Sequence, residues 1–98
     1  MSLNIREELK QKAENCRKAL KYLDGCTTLT YDNTVKANQI AGTRIPEFEL
    51  RRVWEQSKFI LPTDTDAGGV DFVRQTMRNS LIEAISLFEE TAQKLGEK

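Results

Sequence analysis

The chain has 98 residues, 39% of them apolar, with 15 Lys or Arg against 15 Asp or Glu and no histidine. At that length it buries roughly 65% of its unfolded surface on folding, which fits a single helical domain over residues 1–98 with one modest core. A formal net charge of zero removes the long-range field that draws a basic domain to nucleic acid or an anionic membrane, and the missing histidine excludes Ser-His-Asp and Cys-His catalysis.

Helical periodicity begins at once. Ile5, Leu9, Ala13, Cys16, Leu20 and Leu23 recur in steps of three and four, which predicts a helix over about 4–24 with one apolar seam. Asn4 ahead of Glu7 has capping-box logic, and Gly25 supplies a common helix stop. Residues 26 to 34 are rich in β-branched and capping types and read as a connector. A short helix near 33–41 follows, with Asp32 or Asn33 as its cap and Gly42 as its end. Pro46 is placed as the first residue of the next helix, over about 46–61, because its missing N–H goes unpaired there anyway. Glu47 and Glu49 suit the positive end of that helix. Leu50, Val53, Trp54, Ile60 and Leu61 share one face of it, while Phe48 and Phe59 fall nearly opposite. Pro62 and the run through Gly69 predict a loop at 62–69. Asp66 is the expected cap of the last and longest helix, about 70–95, whose band holds Val73, Met77, Leu81, Ala84, Ile85, Phe88, Ala92 and Leu95. The expected fold is all-α: an antiparallel bundle of three main helices plus the short one.

Few residues offer chemistry. Asp64, Asp66 and Gly69 open like a calcium loop, but Gly68 and Gln75 stand where an oxygen ligand and a bidentate Glu are needed, so a helix-capping turn is expected instead. Two cysteines are too few for a structural zinc site within one chain. Cys16 lies on the apolar seam as a small buried hydrophobe, and Cys26 follows a helix C-terminus, whose negative dipole end does not activate a thiolate. Paired carboxylates such as Glu89 and Glu90 lie on a face that would leave their pKa values alike. The residues thus point to no enzyme, no cofactor, no metal and no small-molecule substrate.

Two kinds of surface remain. Lys10, Arg17 and Lys21 form a row on the first helix that can touch phosphates, with Glu14 in the same row and positioned to pair with Lys18. Arg44, Arg51 and Arg52 lie near Trp54 and Phe59, but the apolar spacing places Trp54 in the core. Phe48 and Phe59 need cover from another helix or from a partner. Ile82 lies outside the apolar band of the last helix, among Gln75, Ser86, Glu89 and Gln93, and with Phe72 it can anchor a partner helix or a second copy.

Ile45, Pro46 and Glu47 followed by Arg51 and Arg52, with Tyr31 and Asp32 upstream, resemble the middle helix of the tubulin-folding cofactor A family. Leu50, Val53, Phe59 and Pro62 ahead of a long helix equally resemble a small subunit of the fungal kinetochore ring that encircles microtubules. Each resemblance covers under half the chain, and no residue role is carried over from either. Two cysteines, no charged-then-apolar leader and no long apolar run lead to an intracellular expectation, cytoplasm or nucleus, with no membrane span. The functional expectation is a non-catalytic protein-interaction module or small helical subunit that binds a protein or itself. A nucleic-acid-associated helical domain is the alternative, and a tubulin- or kinetochore-related subunit the second alternative.

Overall fold

The computed structural model describes residues 4–60 and 68–96. Helix accounts for 81% of them, and they contain no strand. The four helices are α1 (Ile5–Gly25), α2 (Tyr31–Ile40), α3 (Glu47–Ser57) and α4 (Gly69–Gly96). The expected 62–69 loop, the calcium-like run and the Asp66 cap lie outside the described residues, apart from Gly68 and Gly69.

α1 and α4 are the frame. They run antiparallel, with Arg17 paired to Glu89 at one level and Asp24 to Arg78 at another. Their facing stripes supply Ala13, Cys16, Ala19 and Leu23 from α1, and Val73, Met77, Leu81, Ala84, Phe88 and Ala92 from α4, all buried. The caps follow from local chemistry. The Asn4 side chain accepts the Glu7 N–H at 3.2 Å. At the other end, Arg74 of α4 donates to the carbonyls of Leu23 and of Cys26, the latter at 2.7 Å. A guanidinium thereby serves the Leu23 carbonyl, which also accepts the Cys26 N–H, and the carbonyl of the cap residue Cys26, at the negative end of the α1 dipole.

α2 starts earlier than its sequence predicts. Thr30 is the cap: its hydroxyl accepts the Asn33 N–H at 3.2 Å, while the Asn33 side chain accepts the Thr30 N–H at 3.1 Å. Asn33 is therefore the reciprocal partner in a capping box and not the cap itself. The short helix packs on α1, where the Asn33 side chain donates to the Tyr22 hydroxyl at 3.0 Å and Lys36 lies over the Tyr22 ring. After α2 the chain turns through Gly42 (φ 88) and Thr43 (φ 57), both left-handed. Buried Asn38 clamps the turn, donating to the Ile45 carbonyl at 2.8 Å and accepting the Ile45 N–H at 2.9 Å.

α3 is shorter than the expected 46–61. Pro46 is the residue before its first turn, and beyond Ser57 the bonds tighten, Lys58 N–H to Glu55 and Phe59 N–H to Gln56, the i to i+3 pattern of a helix unwinding. Leu50 and Ser57 are buried, and Trp54 is half-buried with its indole N–H donating to Thr34 at 3.0 Å. The two glycines that begin the next segment are sterically required. Gly68 has φ 77, and a Cβ at Gly69 would run into the Ser57 carbonyl, so only glycine lets α4 start against the end of α3.

This geometry leaves the molecule long, 51 × 24 × 21 Å. The 11 residues of α3 rise about 16 Å beside an α4 of about 42 Å. Cover from the short helices therefore stops partway. The first turns of α1 and the last turns of α4 run on as a two-helix arm.

Candidate functional site

The surfaces fall into three groups, set by which helix each residue rides. The first is the basic row. Arg17 is tied to Glu89 across the bundle, and Lys10 lies 3.7 Å from Glu7. No ion pair joins Glu14 to Lys18: Lys10 pairs along its own helix at i,i+3, Arg17 pairs across to α4, and Lys21 belongs to none of the described ion pairs. Arg6, Lys10, Glu14, Arg17, Glu89, Ala92 and Gln93 line a groove of about 400 Å³ along the α1–α4 seam. Three cations and two carboxylates nearly balance there, and Glu89 already holds Arg17. Lys21 is exposed on α1 and is not among the residues lining the groove.

The outer face of α3 is the second surface. Phe59 is 85% exposed and Phe48 is 64% exposed, the two barest large apolar side chains among the described residues. Phe48 lies in the first turn of α3 and Phe59 in the tightened turn two residues beyond Ser57, so about three turns of chain, roughly 16 Å, separate them. Arg52 sits between them without an ion pair, whereas Glu55 is held by Lys58 at 3.1 Å. The opposite face of the helix carries Leu50 and Ser57 into the core. No helix of the described chain covers the Phe48 side, so the requirement for a neighbour there is not met within the molecule.

α4 and the arm form the third. Ile82 is 46% exposed on the side of α4 away from its core band. Phe72 does not join it: that ring is half-buried, packed on the core, and lines a separate concavity with Ile60, Asp71, Arg74 and Gln75. Ile5, Leu87 and Leu95 of the arm are exposed as well; Ile5 and Leu95 belong to apolar bands that helical spacing predicts to be covered along their whole length. Beside them two cations flank Phe88: Arg44 lies 4.8 Å and Lys12 5.9 Å from the ring centroid, both within cation–π range.

The cysteines behave as core and connector. Cys16 is fully buried and free, and Cys26 is half-buried and free. Burial pushes the Cys16 thiol above its ordinary pKa, with the nearby Arg44 charge opposing. No cluster of metal-ligating side chains occurs among the described residues, and no described helix is long and apolar enough to cross a membrane. No family model matches the chain, and no curated protein or solved structure is found similar to it.

Proposed function

We propose that the chain is a non-catalytic protein-interaction module, a small helical subunit or adaptor whose α3 receives a helix of a partner protein. One observation carries the reading: Phe48 in the first turn of α3 and Phe59 just past its end both stand exposed, with no helix among the described residues covering them. Rings of this size gain nothing from water, and aromatic anchors of this kind supply much of the energy of protein interfaces. Arg52 between them, unpaired, fixes the chemistry of the occupant as a helix with two apolar anchors about three turns apart and a carboxylate between.

The test is the double variant Phe48→Ala/Phe59→Ala in the full chain. Its helicity and melting temperature should match the parent, because neither ring is buried. Partners that co-purify with the parent in several hundred millimolar salt should be lost, since an apolar interface survives screening whereas phosphate contacts do not. Retention of every salt-resistant partner by the variant overturns the proposal. So does binding that vanishes with salt or nuclease and follows Lys10, Arg17 and Lys21, which is the outcome a nucleic-acid-associated domain would give.

A further inference from the structure

We infer that two copies of this chain associate tip to tip through the arm, antiparallel about a two-fold axis that crosses it near the level of Ala92. This surface is separate from the exposed rings of α3, and the inference does not depend on the reading above.

The arm has one open face. Leu87 stands five turns along α4 from Gly69, where a Cβ would meet Ser57 of α3, so Leu87 looks to the side on which α3 packs but lies beyond its reach. Ile5 and Leu95 are exposed with it, and Phe88 is covered there only by Lys12 and Arg44. Two Glu-to-Lys steps of one helical turn border this face, Glu8 to Lys12 on α1 and Glu90 to Lys94 on α4. None of these four groups belongs to the described ion pairs. Arg6 beside Gly96 and Asp24 paired to Arg78 place Lys12 near the level of Glu90, and Glu8 near the level of Lys94. The face is thus an apolar centre with both signs on each flank, in opposite order on the two helices.

Such a surface is complementary to itself. A two-fold rotation about an axis across the arm keeps each flank on its own side and reverses the order of levels along it. Glu90 then faces Lys94 of the other copy and Lys12 faces its Glu8, each reciprocally. Like charges fall on the diagonals, with the two Glu90 residues about 6 Å apart along the helices. Leu87 comes beside Leu95 and Ile5 of the other copy, while Glu83 passes beyond the end of the other α4 and opposes nothing there. Arg44, held over Phe88, arrives at the C-terminal end of the other α4, where the helix dipole is negative. A parallel pairing is closed off, because it would bring the α3 helices of both copies into one space beside the paired α4 helices. A foreign helix with flanks of one sign would satisfy one member of each Glu-Lys step and repel the other. The second copy satisfies all four.

Sedimentation equilibrium of the full chain over a concentration series tests this, with circular dichroism to verify folding. The parent should be a dimer that weakens as salt screens the flanks. Leu87→Glu, Glu90→Lys and Lys94→Glu should each weaken it by about tenfold or more with helicity unchanged. Glu90→Lys leaves the α4 border of the interface wholly basic and Lys94→Glu leaves it wholly acidic, so mixing these two proteins should restore assembly as a heterodimer. The exchange Glu90→Lys/Lys94→Glu keeps both signs on that border in reversed order and should dimerise as the parent does. Ile82→Glu, on another side of α4, and Phe48→Ala/Phe59→Ala should leave the dimer intact. A parent that stays monomeric, a dimer indifferent to the single reversals, or a mixture or exchange variant that fails to assemble overturns the inference. All of these results leave the α3 proposal to stand or fall on its own test.

Discussion

Replacing Asn38 by alanine removes the clamp that sets α3 against α2. Asn38 is buried and makes two hydrogen bonds to the backbone of Ile45, at 2.8 and 2.9 Å. Leaving a buried polar group unpaired costs about 1–3 kcal/mol, but Ile45 is only half-buried, so water recovers part of the loss at each atom. Alanine also returns roughly half a kcal/mol through its better helix propensity. The net expectation is a loss of about 2–3 kcal/mol, which for a domain of this size lowers the melting temperature by roughly 10–20 °C. Thermal and urea unfolding followed by circular dichroism measure it, with an unchanged m-value showing that the transition stays two-state. Amide exchange should accelerate first between Ala41 and Ile45, where the turn is released. Asn38→Asp separates hydrogen bonding from packing. It keeps the acceptor for the Ile45 N–H but turns the donor into an oxygen facing the Ile45 carbonyl, so the folded state favours the protonated acid. Its folded pKa then lies above the unfolded one, and the variant should be most stable at low pH and lose stability as pH rises through the carboxylate range. A melting temperature for Asn38→Ala within about 2 °C of the parent, or an Asn38→Asp protein that gains stability with rising pH, would refute the clamp.

Arg74→Ala removes the side-chain donor from the Cys26 carbonyl and leaves the Leu23 carbonyl with the Cys26 N–H alone, and should cost roughly 1–3 kcal/mol in urea unfolding; Arg74→Lys should recover only part of it, because a single ammonium lacks the fork that serves two acceptors. Thr43→Gly should stabilise by up to about 1 kcal/mol, since a β-branched residue at φ 57 is strained where glycine is not; a destabilised variant would mean that the Thr43 side chain does more than fill space. Alkylation of the native protein should modify Cys26 well before Cys16, whose burial excludes reagent and disfavours the thiolate. Because the folded Cys16 pKa is raised, its contribution to stability is complete below the ordinary thiol range and is lost as pH rises through it. Equal labelling of the two thiols in the native state would contradict this.

How much of this was legible in the sequence differs element by element. The frame was. The steps of three and four through Ala13, Cys16 and Leu23, and the matching band from Val73 to Ala92, are long enough for periodicity alone to specify two amphipathic helices and their buried stripes. Asn4 and the glycines beside α3 and α4 mark ends through chemistry confined to a few neighbouring residues. The short helices were not, because ten or eleven residues carry too few turns for a period to settle a boundary. Thr30 displaced Asp32 and Asn33 as cap once Asn33 could reach back to it, and α3 stopped where Gly69 pressed on Ser57. Nor do buried Asn38, Thr34 and Ser57 announce themselves, since polar residues enter a core only when a partner from elsewhere in the chain satisfies them. The surfaces divide in the same way. Sequence alone placed Phe48 and Phe59 opposite the buried side of their helix, but whether a neighbour covered them depended on where that helix docked. Ile5 and Leu95 carry the core signature of their helices and are nevertheless exposed, because periodicity reports which side of a helix is apolar and only the lengths and stacking of its neighbours decide how far along that side is covered.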